Sequence, residues 1–177
     1  NALLLVGCNP RLEASVLNTR IRKRWIAGDF RVGVIGPEVD LTYEAEHIGK
    51  SAKDLEVIAN GKSNFAKHLK DVEKAMIIVG QNALTGKDGD NVLSLARRVA
   101  ENRGMITPGW NGFNVLHTAA SRVGGLDIGF VPAHGGRDVT SILAGAGSGN
   151  IRVVYLLGAD EVDMGALGDA FVVYQGH

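Results

Sequence analysis

The clearest pattern in the chain is a series of short, continuous apolar runs, most of them bounded by glycine. Such runs are typical of parallel strands covered on both faces, whereas half-buried strands alternate apolar and polar residues. The runs therefore predict buried β-strands. Four strands are predicted at residues 2–6, 32–35, 75–79 and 153–157, and a fifth at residues 171–174.

Between these runs, apolar residues recur three or four positions apart, which is the spacing of one face of an α-helix. In residues 13–27, for example, Leu17, Ile21 and Trp25 form a single apolar stripe. Alternating strands and helices indicate an α/β fold with mainly parallel sheets flanked by helices. Helices are predicted at residues 13–27, 52–60, 65–70, 89–102, 114–123 and 139–143.

The same alternation divides the chain into two predicted lobes, a partial one at residues 1–68 and a second at 69–177, with the charged segment "KHLKDVEK" at their junction. Each lobe opens with a strand, a glycine turn and a helix. Loose connections are predicted at 104–112 and 129–150, and "AGAGSGN" is expected to be the most flexible part of the second. Because strand-like runs lie so close to both ends of the chain, we expect it to be part of a longer protein.

Composition excludes several functions. The chain is 45% hydrophobic and 21% charged, and its 19 basic residues balance 19 acidic ones, so no overall charge directs it to nucleic acid or an anionic membrane. The apolar runs are far shorter than the roughly 20 residues of a membrane-spanning helix. Cys8 is the only cysteine, which excludes an internal disulfide and a four-cysteine zinc or iron–sulfur site, and favours a reducing compartment.

Three segments are similar to phosphate-binding motifs. "HIGKSA" and "ANGKSN" contain the Gly-Lys-Ser ending of a P-loop, but the full motif needs a glycine five residues earlier. Those positions hold Glu44 and Glu56, and neither segment follows a predicted strand. "AGAGSGN" precedes a strand, whereas a dinucleotide fingerprint follows one. The sequence therefore favours ordinary connections at all three places.

Two charged clusters leave alternatives open. Asp160, Glu161 and Asp163 follow a predicted strand, where α/β proteins bind ligands, although a solvated acidic loop is the favoured interpretation. The segment "NTRIRKRW" carries four cations between residues 20 and 24. They fit either a solvated helix face near the helix C-terminus or an ion-pair surface for another protein, and the lack of net charge and of interleaved aromatic residues argues against nucleic acid.

The turn after the first strand, "LLLVGCNPR", is a candidate cofactor site. A Gly-x-Asn-Pro turn at the end of a strand can direct backbone amides and an Asn side chain at a phosphate-rich ligand. In this chain the residues concerned are Gly7, Asn9 and Pro10. The spacing alone does not distinguish a working site from a turn that has only the shape of one.

This turn opens a wider resemblance. "LLLVGCNPRLEASVLNTRIRK" resembles the Gly-x-Asn-Pro turn and following helix of the molybdopterin oxidoreductase superfamily. Together with "VGVIGPEVDLTYEAEHIG", "IIVGQNAL", "WNGFNVLHTAASRVGGLDIGF", "VVYLLGADEVDM" and "DAFVVYQGH", it is most similar to the large iron–sulfur subunit family of respiratory complex I, in its bacterial and mitochondrial branch. The resemblance implies Rossmann-like lobes of the molybdopterin oxidoreductase type, from the C-terminal region of that subunit.

The resemblance also implies a pterin-enzyme fold without its cofactor. The 2Fe–2S and 4Fe–4S clusters of the family are bound in an N-terminal region absent here, so no cofactor, metal ligand or catalytic residue is expected in this chain. Where cofactor-binding relatives have Asp-Pro-Arg, this chain has Gly36, Pro37 and Glu38, and the later turn at Gly158 carries Asp160 in place of a neutral Asn. Both carboxylates would disfavour a phosphate.

The function implied by the resemblance is structural. The segment would be a non-catalytic interaction module of an NADH:quinone oxidoreductase that couples electron transfer from NADH to quinone to proton translocation. Its partners would be other subunits of the hydrophilic arm, including the flavin subunit that binds NADH. Its location would be peripheral, on the cytoplasmic face of the bacterial inner membrane or the matrix side of the mitochondrial one. The alternatives are a genuine molybdopterin-dependent oxidoreductase such as formate dehydrogenase, and a generic nucleotide-binding α/β domain.

Overall fold

A computed structural model of the chain describes residues 1–119 and 121–176. The chain forms two compact units, Asn1–Ala120 and Ser121–His177. This division differs from the predicted boundary near residue 68. The reason is that the strand at residues 2–6 pairs along its whole length with the strand that begins at Ala75, so both predicted lobes contribute to one sheet.

In chain order the strands of the first unit are β1 (Ala2–Val6), β2 (Arg31–Ile35), β3 (Glu46–Gly49), β4 (Ala75–Gly80), β5 (Ile106–Thr107), β6 (Trp110–Asn111) and β7 (Phe113–Leu116). Five of them form a parallel sheet with the strand order β3-β2-β1-β4-β7. The two short strands β5 and β6 form an antiparallel pair.

Helices cover both faces of this sheet, which confirms the predicted α/β fold. They are α1 (Pro10–Glu13), α2 (Ser15–Ile26), α3 (Ala52–Ala59), α4 (Asn64–Asp71), α5 (Gln81–Leu84) and α6 (Gly89–Asn102). β1 lies at the centre and is buried on both sides: Leu4 packs with α3, α4 and α6, while Leu5 packs with α2. Burial on both faces explains why β1 is apolar at every position.

One predicted helix in this unit is wrong. The pattern at residues 114–123 predicts a helix, but β7 occupies its first part and pairs in parallel with β4. A short apolar run does not distinguish a buried strand from a helix turn, so the pairing with β4 decides the conformation. A helix, α7 (Arg122–Asp127), begins only in the second unit.

The second unit is a two-stranded parallel sheet with a helix packed on one face. It contains α8 (Val139–Gly147), β8 (Val153–Leu157), a 3₁₀ turn (Met164–Leu167) and β9 (Phe171–Gln175). Leu156 on β8 is buried with Ala146 on α8 and with Leu167. The segment "AGAGSGN", predicted as part of a loose connection, is helical over its first four residues, which complete the last turn of α8.

The opposite face of the β8–β9 sheet is open. Val153, Tyr155 and Leu157 alternate with the buried positions of β8, and each exposes more than half of its surface, as does Phe171 on β9. Parallel strands are normally covered on both faces, so this unit presents an apolar surface for which the described residues give no cover.

Candidate functional site

The candidate site lies where the strand order of the first unit reverses. From β1 the chain proceeds to β2 and β3 on one side of the sheet, and then crosses to β4 on the other. Open α/β sheets bind ligands at the carboxyl ends of their strands at such a switch point. A cavity of about 450 Å³ opens there, and residues that follow β1, β2, β3 and β4 line it.

The Gly7 turn lines this cavity. Gly7 has a φ of +57° and donates its N–H to the carbonyl oxygen of Ile35 at 2.8 Å. A Cβ atom added at Gly7 would lie 2.5 Å from the Cβ of Ala83, and one added at Gly80 would lie 2.4 Å from the carbonyl oxygen of Gly7. The turns after β1 and β4 therefore approach so closely that neither glycine tolerates a side chain without a shift of its neighbour.

Asn9 and Pro10 start a short helix. The Oδ1 atom of Asn9 accepts the N–H of Arg11 at 3.1 Å, and Pro10 occupies the first helical position, where its missing N–H is not needed. The N–H of Asn9 donates to Glu13 Oε1 at 2.5 Å. A carboxylate of the chain itself therefore accepts the hydrogen bond that this amide would otherwise donate to a ligand phosphate.

The segment "HIGKSA" differs from its prediction. It does follow a strand and precede a helix, because it links β3 to α3, and both Lys50 and Ser51 line the cavity. The prediction failed because β3 is a short strand with two exposed residues, paired in the sheet only with β2. The other Gly-Lys-Ser segment, "ANGKSN", links α3 to α4 and so lies outside the strand–turn–helix context.

An internal carboxylate also caps the turn of "HIGKSA". Asp54 Oδ2 accepts the backbone N–H groups of Lys50 and Ser51, each at 3.0 Å, and the hydroxyl of Ser51 at 2.7 Å. These bonds stabilise the ionised form and hold the pKa of Asp54 below its usual value. This Gly-Lys-Ser turn is therefore anchored to its own helix.

A pterin pyrophosphate does not fit this donor set. The amides of Asn9, Lys50 and Ser51 are already bonded to Glu13 and Asp54, and Glu13 itself lines the cavity. A phosphate brought within about 5 Å of a carboxylate would be repelled by about 3 kcal/mol at an effective dielectric constant of about 20. Lys50 is the only cation among the lining residues that the structure describes.

Glu38 plays a smaller part than its position in the sequence indicated. Gly36 and Pro37 line the cavity, but Glu38 does not. Its side chain is 74% exposed, and its Oε1 atom lies 3.8 Å from His47 Nδ1, while His47 Nε2 bonds to the carbonyl oxygen of Gly36 at 2.8 Å. The negative charge beside the cavity comes from Glu13, which was not among the predicted site residues.

Cys8 contributes a buried thiol to the cavity wall. Its Sγ atom lies 3.8 Å from the carbonyl oxygen of Ile78. Burial, together with the nearby charge of Glu13, raises the pKa of the Cys8 thiol to about 12. A thiol with such a pKa is protonated at neutral pH and is a poor nucleophile and metal ligand.

The later turn lies in the second unit, so the structure does not gather all seven predicted turn residues in one unit. Gly158 has a φ of +58° and donates its N–H to the carbonyl oxygen of Gln175 at 2.7 Å. Asp160 accepts the hydroxyl of Tyr174 at 2.9 Å, and this bond raises the pKa of Tyr174. Asp160 and Glu161 line a separate cavity of about 410 Å³ beside the first residue of α8.

The acidic cluster is not arranged as a metal site. Asp163 accepts the N–H of Gly165 at 2.9 Å and caps the 3₁₀ turn, while Asp160 is bonded to Tyr174. Over residues 1–119 and 121–176, no group of three or more His, Cys, Asp or Glu side chains is placed to hold a metal ion. In the same residues no helix is both long and apolar enough to cross a membrane.

Glu13 and Asp54 were missed at the level of sequence because they act as helix caps, and the predicted site residues were chosen as ligand contacts. The signal was present for one of them, since Ser51 and Asp54 have the spacing of a capping box. Glu13, four residues after Asn9, is an acidic residue in the first turn of a helix, where it stabilises the free amides.

The chain is similar to known proteins along its whole length. The family model for molybdopterin oxidoreductases matches residues 1–177. The chain is 40% identical over 174 residues to the NADH-ubiquinone oxidoreductase 75 kDa subunit of Reclinomonas americana, and the match covers 98% of the chain and 25% of that protein. It is also 40% identical over 174 residues to an NADH-quinone oxidoreductase subunit of Rickettsia bellii (98% and 24%). A third relative, the NADH-ubiquinone oxidoreductase 78 kDa subunit of Neurospora crassa, is 39% identical over 181 residues (100% and 23%). The chain thus spans about a quarter of the length of these relatives.

Proposed function

The chain belongs to the molybdopterin oxidoreductase family, and from that premise we propose that it is a structural and interaction module of the iron–sulfur subunit of a proton-translocating NADH:quinone oxidoreductase. In this role the chain keeps the family fold but binds no pterin. The similarity to three NADH–quinone and NADH–ubiquinone oxidoreductase subunits supports the choice of parent complex.

The observation that carries the proposal is the internal capping of the crevice. A site that binds a pyrophosphate presents unpaired backbone amides and cations. Here Glu13 and Asp54 bond to three such amides, so the chain satisfies its own donors and adds negative charge. The turns at Gly7, Asn9, Pro10, Gly36, Glu38, Gly158 and Asp160 are then vestigial: they preserve backbone geometry and hold no ligand.

The open apolar face of the second unit supports the interaction role. An exposed cluster of large apolar side chains is unfavourable in water and marks a surface that another element covers. We assign that cover to other parts of the same assembly, whose redox centres, including the 2Fe–2S and 4Fe–4S clusters, lie outside this chain. Electron transfer from NADH to quinone is then an activity of the complex, to which this chain contributes no catalytic residue.

The partners and location follow from the parent complex. The chain would contact subunits of the hydrophilic arm, among them the flavin subunit that oxidises NADH. That arm would place it at the membrane surface without inserting into the bilayer, on the matrix side in mitochondria or the cytoplasmic side in bacteria.

The test is purification of the full-length parent from detergent-solubilised membranes, with mass spectrometry of the co-purifying chains and elemental analysis of iron, molybdenum and tungsten. A known molybdenum enzyme carried through the same procedure is the control for metal retention. We expect flavin and iron–sulfur subunits, with iron but without stoichiometric molybdenum or tungsten. Stoichiometric molybdenum or tungsten with an extractable pterin would instead identify a molybdopterin-dependent oxidoreductase, such as formate dehydrogenase. Saturable binding of NAD or ATP to the chain would favour a nucleotide-binding domain.

A further inference from the structure

One exposed stripe of α2 combines apolar and cationic side chains. We call the residues Val16, Thr19, Arg20, Lys23 and Ile26 the α2 face. They follow one another at intervals of one or three positions, which places them along one side of the helix, and all five are exposed. Val16 exposes 76% of its surface and Ile26 exposes 60%. At a rise of about 1.5 Å per residue the stripe is about 15 Å long.

The structure separates the four cations of α2 into two pairs. Arg22 Nε donates to the carbonyl oxygen of Thr42 at 3.2 Å. Arg24 donates to the carbonyl oxygens of Gly28 and Asp29, and its guanidinium carbon lies 5.1 Å from the ring centroid of Phe30. These two arginines therefore hold the chain that follows α2 against the helix.

Arg20 and Lys23 have no such role. Among the described residues, neither side chain forms a hydrogen bond or an ion pair, and the three ion pairs found there involve other cations. The pair lies between Val16 and Ile26 on the same stripe. A chain with no net charge thus presents two unpaired positive charges flanked by apolar side chains.

The composition of the α2 face identifies the kind of partner. A helix that lies in a membrane interface needs a wide apolar face, and here Thr19 and two cations separate two aliphatic residues. Single-stranded nucleic acid needs stacking aromatic residues, which this face lacks. Apolar contacts around a central pair of charges are instead the pattern of a protein interface, where complementary charges fix the partner and its register.

We propose that the α2 face is the docking surface for an acidic amphipathic α-helix of a neighbouring subunit in the same assembly. This inference rests on the proposed function, because the partner belongs to the oxidoreductase. Two helices packed side by side approach to about 8–10 Å. Carboxylates spaced three or four residues apart on the partner would meet Arg20 and Lys23, and its apolar residues would cover Val16 and Ile26.

The first experiment locates the partner in the intact complex. A photo-cross-linking amino acid is placed at Thr19 of the full-length parent, and at Ser94 on α6 as an exposed control of similar size. We expect the Thr19 probe to cross-link to a helical peptide of a co-purifying oxidoreductase subunit with Asp or Glu residues three or four positions apart. The Ser94 probe should not reach that peptide. Cross-linking of Thr19 to lipid, cross-linking to a peptide without such acids, or the absence of a cross-link to any other subunit would overturn the inference.

The second experiment tests the charges. The double substitution Arg20→Glu with Lys23→Glu should reduce retention of the cross-linked subunit at least tenfold at physiological salt. Lys67→Glu with Lys70→Glu is the matched control, because these lysines are also exposed and three positions apart on a helix, α4. Exchanging the partner's two acids for lysines should restore retention by the Arg20→Glu, Lys23→Glu variant. Equal retention by the variant and the control would refute the docking role.

Two further outcomes separate this inference from the proposed function. A cross-link from Thr19 to an acidic helix of a protein outside the oxidoreductase would refute the proposed assembly and leave the docking chemistry supported. Salt-sensitive binding of the full-length parent to phosphatidylglycerol vesicles, lost in the Arg20→Glu, Lys23→Glu variant, would identify a membrane surface and overturn the inference. Tryptophan fluorescence of each variant during urea unfolding confirms that the fold is retained.

Discussion

Replacing Gly7 with alanine perturbs the closest contact of the crevice. Two costs arise from the structure. A non-glycine residue at a φ of +57° loses about 1–2 kcal/mol from the left-handed conformation. The new Cβ atom would also lie 2.5 Å from the Cβ of Ala83, and such overpacking costs about 1–3 kcal/mol. We therefore expect Gly7→Ala to lower the free energy of unfolding by about 2–5 kcal/mol.

Two companion variants separate these costs. Gly28 has a φ of +82°, and no atom lies within 4 Å of a Cβ added there. Gly28→Ala should therefore show only the conformational cost of about 1–2 kcal/mol. Ala83→Gly removes the clash and, as a glycine in a helix, costs about 0.5–1 kcal/mol by itself. The double variant Gly7→Ala, Ala83→Gly should then show a favourable coupling energy of about 1–3 kcal/mol.

The assay is equilibrium urea unfolding of the chain followed by tryptophan fluorescence. Both tryptophans, Trp25 and Trp110, belong to the first unit, so the signal reports on the sheet that contains Gly7. The close approach of the two turns would be disproved by a Gly7→Ala cost no larger than that of Gly28→Ala. A coupling energy below about 0.5 kcal/mol, which is the limit of additivity, would disprove it equally.

Three further predictions test the site and the second unit. The Cys8 thiol, with its pKa raised to about 12 by burial, should react with a thiol reagent at pH 8 only as fast as the chain unfolds, and rapid labelling of the native chain would contradict this. Asp54→Asn should remove about 1 kcal/mol of stability at pH 7, the usual value of a helix cap. The folded-state pKa of Asp54 is lowered from 3.8, so the stability difference between the Asp54 chain and the Asp54→Asn variant is present above pH 3.8 and should shrink as the pH falls below that value. Urea unfolding measures this difference, and a difference that stays unchanged at low pH would exclude a charged cap. In the second unit, Leu156→Ala should lower the free energy of unfolding by about 2 kcal/mol because Leu156 is buried against α8. Leu157 is 70% exposed, so Leu157→Ala should change that free energy by no more than about 0.5 kcal/mol. Hydrogen exchange of the β8 amides measures both changes, and equal losses of stability would mean that β8 is oriented differently.

The strands were the most predictable part of the fold. The run at residues 2–6 was predicted with the bounds of β1, and the run at 153–157 with those of β8. Central parallel strands need apolar residues on both faces, so each run carries its own signal. β3 and β7 lie at the two edges of the sheet. Their mixed composition gave no such signal, so one was missed and the other was predicted as helix.

The candidate site was predictable in outline only. Gly7, Asn9 and Pro10 were identified as a ligand-type turn, and they do lie at the switch point of the sheet. The carboxylates that fill the turn were not predicted. Glu13 bonds to the amide of Asn9 four residues before it, which requires that a helix begin at Pro10. The predicted helix began only at residue 13, so this contact was not expected.

By itself, the sequence determined the α/β class, the central strands, the apolar stripe of α2 and the family, because each of these is recorded in the order of neighbouring residues. The tertiary structure alone decided the division into units, the meeting of Gly7 with Ala83, and the separation of Arg22 and Arg24 from Arg20 and Lys23. These features depend on contacts between residues that can be far apart in the chain. Such contacts form only when burial of both sheet faces fixes the position of every connecting turn.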